Sequence, residues 1–134
     1  MKTFIILKPD AIYRGLVGEI LLRFERLNMH IQRIEKQYKD KVWFRQHYSH
    51  LLGLDPDYLE PMEVWMTTNP LIGVILSGDP AKAKKIVGVT IAAAPGTIRG
   101  DFSRGHGYYN LVHAADPSEV DREIKLFFGD NNED

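Results

Sequence analysis

The stretch "PLIGVILSGDPAKAKKIVG", residues 70–88, decides the reading of the whole chain. Its first half is a strongly apolar run of strand length, rich in β-branched residues. Its second half opens with Asp79 and Pro80, a carboxylate placed to cap free amide donors and a proline tolerated at the first helical position. A helix carrying Lys82, Lys84 and Lys85 follows and should stop near Gly88. One β-α unit therefore sits in the middle of the chain. Upstream, "TFIILK" (residues 3–8) is a second apolar strand, ended by Pro9. Val17, Ile20, Leu21, Phe24 and Leu27 then recur at helical spacing and predict a helix over about residues 15–28. "MHIQRIEKQY" (29–38) suits a more exposed, charged strand. "KVWFRQHYSHL" (41–51) reads as helical, and "GLDPDYLEPMEVWM" (53–66) as a turn with one or two short helices.

Downstream of the central unit, residues 89–107 are punctuated by glycine and read mainly as loop. "YYNLVHA" (108–114) is the fourth strand candidate. "DPSEV" repeats the capping logic of Asp79-Pro80, and the helix it opens carries Val120, Ile124, Phe127 and Phe128 on one face. The order β-α-β, helical insertion, β-α-β predicts an α+β fold, a ferredoxin-like split βαβ sandwich with a four-stranded antiparallel sheet and a helical insertion. Residues 1–128 form one domain on this reading, and 129–134 a solvated tail. That architecture hosts enzymes, RNA binders and regulatory modules, so it does not choose a function.

Composition narrows the choice. The chain has 134 residues, 44% of them hydrophobic, which is ordinary for one globular domain. It has no cysteine, which excludes disulfides, thiolate zinc sites and cysteine nucleophiles. The 17 basic and 18 acidic residues leave a formal charge of -1 and no bulk attraction to nucleic acid. No segment approaches a membrane span, and Pro9 and Asp10 interrupt the N-terminal apolar run where a signal peptide would continue. The expected location is the cytoplasm, with no membrane partner and no dedicated nucleic-acid surface.

His113 is the residue with the most chemical potential. Strand alternation from Leu111 places the two on the same face, so a hydrogen-bonded core histidine is one reading. The other is a nucleophile. Glu123 lies about two turns into the following helix, where a fold-back after Ala115 aims its carboxylate at the imidazole. A carboxylate holding one ring N–H fixes the tautomer and leaves the other nitrogen with a free lone pair. Lys8, Lys84 and Arg99 supply candidate charges for a polyphosphate, and Thr90 a short hydroxyl donor. Asn110 suits a ribose hydroxyl or an ordinary strand-edge amide. Tyr58 suits base stacking or local packing, and Tyr48 a phosphate contact or packing. No GxxxxGK[ST] and no dinucleotide fingerprint is present. His47 and His50, three apart on one expected helix, lack the carboxylate set of a zinc site, and His30 and His106 read as surface and loop residues.

Four motifs taken together resemble the nucleoside diphosphate kinase family: "TFIILKPDAIYRGLVGEILLRFE", "HY" at 47–48, "PGTIRGDF" at 95–102 and "NLVHAAD" at 110–116. The resemblance implies phosphoryl transfer from a nucleoside triphosphate, mainly ATP, to nucleoside or deoxynucleoside diphosphates by a ping-pong route through a phosphohistidine at His113. It implies that Glu123 holds Nε2, that Lys8 and Asn110 bind sugar hydroxyls, and that Tyr48, Thr90 and Arg99 hold phosphates. Tyr58 stands where the family stacks a phenylalanine on the base, and Lys84 where it has an arginine. Mg²⁺ is expected on the nucleotide phosphates, with no protein-only metal cage. A homo-oligomer built on a dimer is expected. The departures are Ala115 in place of a serine that supports the histidine and glutamate, Lys84, a loop about two residues shorter after Thr90, and one about one residue longer before Asn110. These motivate a second reading, a catalytically weakened nucleotide-binding relative. A ferredoxin-like RNA-binding module is a third, though no clear RNP aromatic pair is present.

Overall fold

The computed structural model describes residues 1–103 and 107–129. Four strands, β1 (Lys2–Leu7), β2 (Ile31–Gln37), β3 (Leu71–Ser77) and β4 (Val112–Ala114), form one sheet in the order β2-β3-β1-β4, every pairing antiparallel. The helices are α1 (Pro9–Tyr13), α2 (Val17–Glu25), α3 (Lys41–His47), α4 (Pro56–Thr68), α5 (Pro80–Val87), α6 (Ile98–Phe102) and α7 (Val120–Phe128). This is the expected α+β ferredoxin-like sandwich with its helical insertion, α3 and α4, between β2 and β3.

Alternation along β1 divides the core in two. Ile5 and Leu7 join Ile20, Phe24, Ala83 and Val87 under α2 and α5, while Phe4 and Ile6 join Phe44, Met66, Ile124 and Phe127 under α3, α4 and α7. A sheet covered on both faces needs continuously apolar central strands, which is why β1 and β3 carry unbroken hydrophobic runs. Helix starts are fixed locally. The side chains of Asp40, Asp55, Asp79 and Thr97 each accept a backbone N–H at the first turn of α3, α4, α5 and α6.

Several expected elements are shorter or different. Residues 89–107 are not all loop: Thr97 caps the short α6, and burial of Ile98 holds it in place. The helix expected over 41–51 ends at His47 and passes into a 3₁₀ turn, Ser49–Leu51, and the insertion continues as one 13-residue helix. The helix expected over 15–28 is α2, preceded by the single turn α1. Residues 104–106 of the lengthened loop, His106 among them, and residues 130–134 lie outside the described residues.

The fourth strand is the most informative departure. Only Val112–Ala114 pair as β4, because Leu111 has φ 76°, a left-handed conformation costly for a branched side chain. Val112 N donates to the Asn110 carbonyl at 2.9 Å, closing a tight turn centred on Leu111. Leu111 consequently enters the same apolar cluster as Val112 and Ala114. Simple alternation therefore fails here: His113 does not share the face of Leu111 but pairs with Ile6 and meets α3 and α7.

Gly73 is a tight point in the sheet, where an added Cβ would lie 2.3 Å from the Phe127 ring. Gly73→Ala forces α7 or its ring aside and should destabilise the fold by about 1–3 kcal/mol, read as a lower urea midpoint at unchanged slope.

Candidate active site

The site is assembled where three segments converge on β4. The backbone brings the first two together: Lys8 N donates to the Leu111 carbonyl at 2.9 Å, and Leu111 N donates to Asp10 Oδ2 at 3.1 Å. These two bonds satisfy the strained residue on both sides and fix the chain entering His113. The third segment is α7. Its Glu123 Oε1 lies 2.6 Å from His113 Nε2, a short charge-assisted contact with the carboxylate almost fully buried.

Burial pushes the His113 imidazole down to about 3, with the charges of Lys8, Arg99 and Lys84 acting in the same direction. At neutral pH the ring is therefore uncharged, and the Glu123 contact puts its proton on Nε2 and the lone pair on Nδ1. Burial also raises the Glu123 pKa, opposed by the neighbouring His47 and Arg122.

Lys8 is buried, and its Nζ donates to Asn110 Oδ1 at 2.8 Å. Desolvation, with Arg99 adding to it, lowers the lysine to about 7, against the pull of Asp10. Arg99 spends three donors on backbone: Nε on Asn110 O at 3.3 Å, Nη1 on Gly88 O at 3.0 Å and Nη2 on Val112 O at 2.6 Å. It thus braces the turn before His113 while its guanidinium lines both adjoining cavities. Lys84 is in the last turn of α5 and forms an ion pair with Asp116. That contact holds the Asp116 carboxyl below its usual range.

Two cavities meet at His113. One, about 460 Å³, is lined by Lys8, Tyr48, Tyr58, Arg99, Asn110 and His113, among others. The other, about 1130 Å³, is lined by Lys84, Thr90, Arg99, His113 and Glu123 together with His47 at the end of α3. Thr90, Arg99 and His113 border both. Tyr48 is buried, its hydroxyl without a partner and pushed up by burial. Tyr58 is at the rim, its ring edge-on to Tyr108 at 5.5 Å. All nine residues singled out in the sequence thus lie around one junction.

Two residues escaped the sequence reading, and a third, His47, was weighed there only as a metal ligand and as part of the "HY" pair. Asp10 served only as evidence against a signal peptide, yet it anchors Leu111. Tyr108 lines the smaller cavity, and the two adjacent tyrosines carried no signal beyond strand propensity. His47 is fully buried 4.7 Å from the His113 ring, and only its place in the "HY" pair hinted at that.

The donor atoms of His47, His113 and Glu123 lie within 4.8 Å of one another. This is a cluster with metal-ligand spacing, but two imidazole nitrogens do not fit magnesium, which takes oxygen ligands.

Both the sequence and the fold match a known group. The nucleoside diphosphate kinase family model aligns with residues 1–132. The chain belongs to this family. It is 38% identical to a nucleoside diphosphate kinase of Pyrobaculum aerophilum, over 95% of this chain and 94% of that one. Among solved structures, the apo kinase of Encephalitozoon cuniculi superposes with a TM-score of 0.89 at 30% identity, covering 99% of this chain and 92% of its own. The Borrelia burgdorferi kinase, a transition state mimic with bound vanadate and ADP, gives 0.85 at 30% identity, covering 98% and 88%. Within this kinase family fold, the convergence of β1, β4 and α7 on one histidine carries the chemical interest.

The neutral state of His113 has a measurable consequence. Its imidazole resonances should stay constant from pH 8 to pH 5, with titration only near pH 3. A midpoint near the ordinary 6.5 contradicts this electrostatic account. Because the unfolded ring takes up a proton near 6.5 and the folded one does not, this histidine's contribution to stability is full above pH 6.5. It is lost as pH falls towards 3.

Proposed function

We propose that the protein is a nucleoside diphosphate kinase that transfers a phosphoryl group through His113 in two half-reactions. The observation that carries this is the 2.6 Å contact between His113 Nε2 and buried Glu123, at a junction lined by Lys8, Thr90 and Arg99. In the first half-reaction, Nδ1 attacks the γ-phosphorus of a nucleoside triphosphate, mainly ATP. The N–P bond forms as the bond to the β,γ-bridging oxygen breaks, and the diphosphate leaves with that electron pair. Positive charge developing on the imidazole is balanced by Glu123 at Nε2. In the second, a terminal oxygen of another nucleoside or deoxynucleoside diphosphate attacks the same phosphorus and the imidazole leaves neutral. Covalent storage on the histidine lets two nucleotides use one site in turn.

On this reading the base enters beside Tyr58, Lys8 and Asn110 meet the sugar hydroxyls, and Tyr48, Lys84, Thr90 and Arg99 face the phosphates. Lys84 must exchange Asp116 for phosphate, and as a single ammonium it replaces no forked donor pair. Magnesium arrives on the nucleotide, through phosphate oxygens, since the His47, His113 and Glu123 set does not suit it. No helix among the described residues is long and apolar enough to cross a membrane, and nucleotide substrates suit a cytoplasmic setting. The catalytic unit is residues 1–128. A dimer is its basic assembly, supported by Ile31 and Ile34, exposed on the edge strand β2.

The test is incubation with γ-labelled ATP and Mg²⁺, isolation of the protein, and a chase with unlabelled GDP. Acid-labile label should appear on the protein, move to GTP, and be absent in His113→Ala. A protein that binds ATP but takes up no label would favour the weakened relative, to which Ala115 and the Lys84–Asp116 pair already point.

A further inference from the structure

His47 is a polar ring in an apolar place. It ends α3, stacks on Trp43 with centroids 4.9 Å apart and planes 24° apart, and sets its ring 4.7 Å from His113. Its side chain is fully buried, and neither Nδ1 nor Nε2 has a hydrogen-bond partner. A buried imidazole with both nitrogens unpaired costs stability that a phenyl ring in the same space would not. A state in which one nitrogen is paired would account for it.

A charged acceptor is within reach: Glu123 Oε1 lies 3.9 Å from His47 Nε2. That gap is too long for a hydrogen bond and too short to hold a bridging water, so a ring shift of about 1 Å closes it. Ala115, fully buried against the same cluster, offers only a methyl group. Desolvation keeps His47 well below its ordinary pKa, so it is a neutral ring with one N–H to donate.

Glu123 needs that donor. It must be ionised to hold the His113 N–H and to balance charge on the ring, yet burial favours its neutral form. We propose that His47 is a positioning residue, closing on Glu123 through Nε2–H as His113 takes up the phosphoryl group and keeping the carboxylate ionised and aligned. This rests on the kinase reading above. A structural metal in the same cluster is the competing use of His47. Against it stand the cations of Lys8, Arg99 and Lys84 that bear on His113, and a His47 Nδ1 that lacks the outer partner that ligating histidines normally have.

The experiment is single-turnover phosphorylation by ATP, with nucleotide affinity measured separately. His47→Phe, which keeps the stack on Trp43, should slow transfer about tenfold and leave the nucleotide Kd within about twofold. His47→Gln, which restores an N–H donor, should recover most of the loss. In a Glu123→Ala background, already slow, adding His47→Phe should change the rate less than about twofold, since both act through one contact. Additive losses, Gln no better than Phe, Kd rising in step with the loss of rate, or one equivalent of zinc in the purified protein would overturn the proposal. Wild-type protein that takes no label would instead refute the kinase reading. His47 is then read by NMR of the nucleotide-bound protein, where a downfield Nε2–H proton supports the contact with Glu123 and its absence overturns it.

Discussion

The hydrogen bond from His113 to Glu123 is the constraint around which the rest of the site is arranged. It ties the short edge strand β4 to α7, and in doing so sets which imidazole nitrogen carries the proton. The bond alone would not aim the ring. Its direction comes from Leu111, held left-handed between the Lys8 amide and the Asp10 carboxylate, so that the chain reverses its alternation just before the histidine. Strain at Leu111 is thus supported by bonds to residues about a hundred positions away, and its effect is to present His113 towards α3 and α7 rather than towards α2 and α5.

Charge is stored around that ring at some expense to stability. Lys8 is buried and its charged form disfavoured, Arg99 is largely committed to carbonyls, and both keep His113 unprotonated. A fold optimised only for stability would not bury Lys8 and half-bury Arg99 beside an imidazole. An incoming polyanion relieves this, because its negative charge favours the charged form of Lys8 and faces the half-buried Arg99. Preorganised positive charge beside a neutral nucleophile is what phosphoryl transfer requires, since the reacting oxygens carry most of the charge.

Much of the scaffold was legible in the chain. The unbroken apolar runs of β1 and β3 and the Asp-Pro start of α5 are local signals, and local chemistry fixes them. The pairing of His113 with Glu123 was legible as a possibility from helix winding and became specific only with the family resemblance. The turn at Leu111 was not legible, because a leucine gives no hint of positive φ and the bonds that impose it are long-range. For the same reason Asp10 and His47 looked incidental. The pairing of Lys84 with Asp116 was not legible either, because it depends on how α5 packs against the end of β4.

The central claim is that Glu123 holds the proton on Nε2 and leaves Nδ1 as the nucleophile. Nitrogen-15 NMR of the selectively labelled, unphosphorylated protein at pH 7 reads this directly. The account predicts a protonated, pyrrole-type Nε2 and a bare, pyridine-type Nδ1 at His113, with the distinction weakened in Glu123→Ala. A proton on Nδ1 in the wild-type protein, or equal tautomers in wild type and variant, would contradict it.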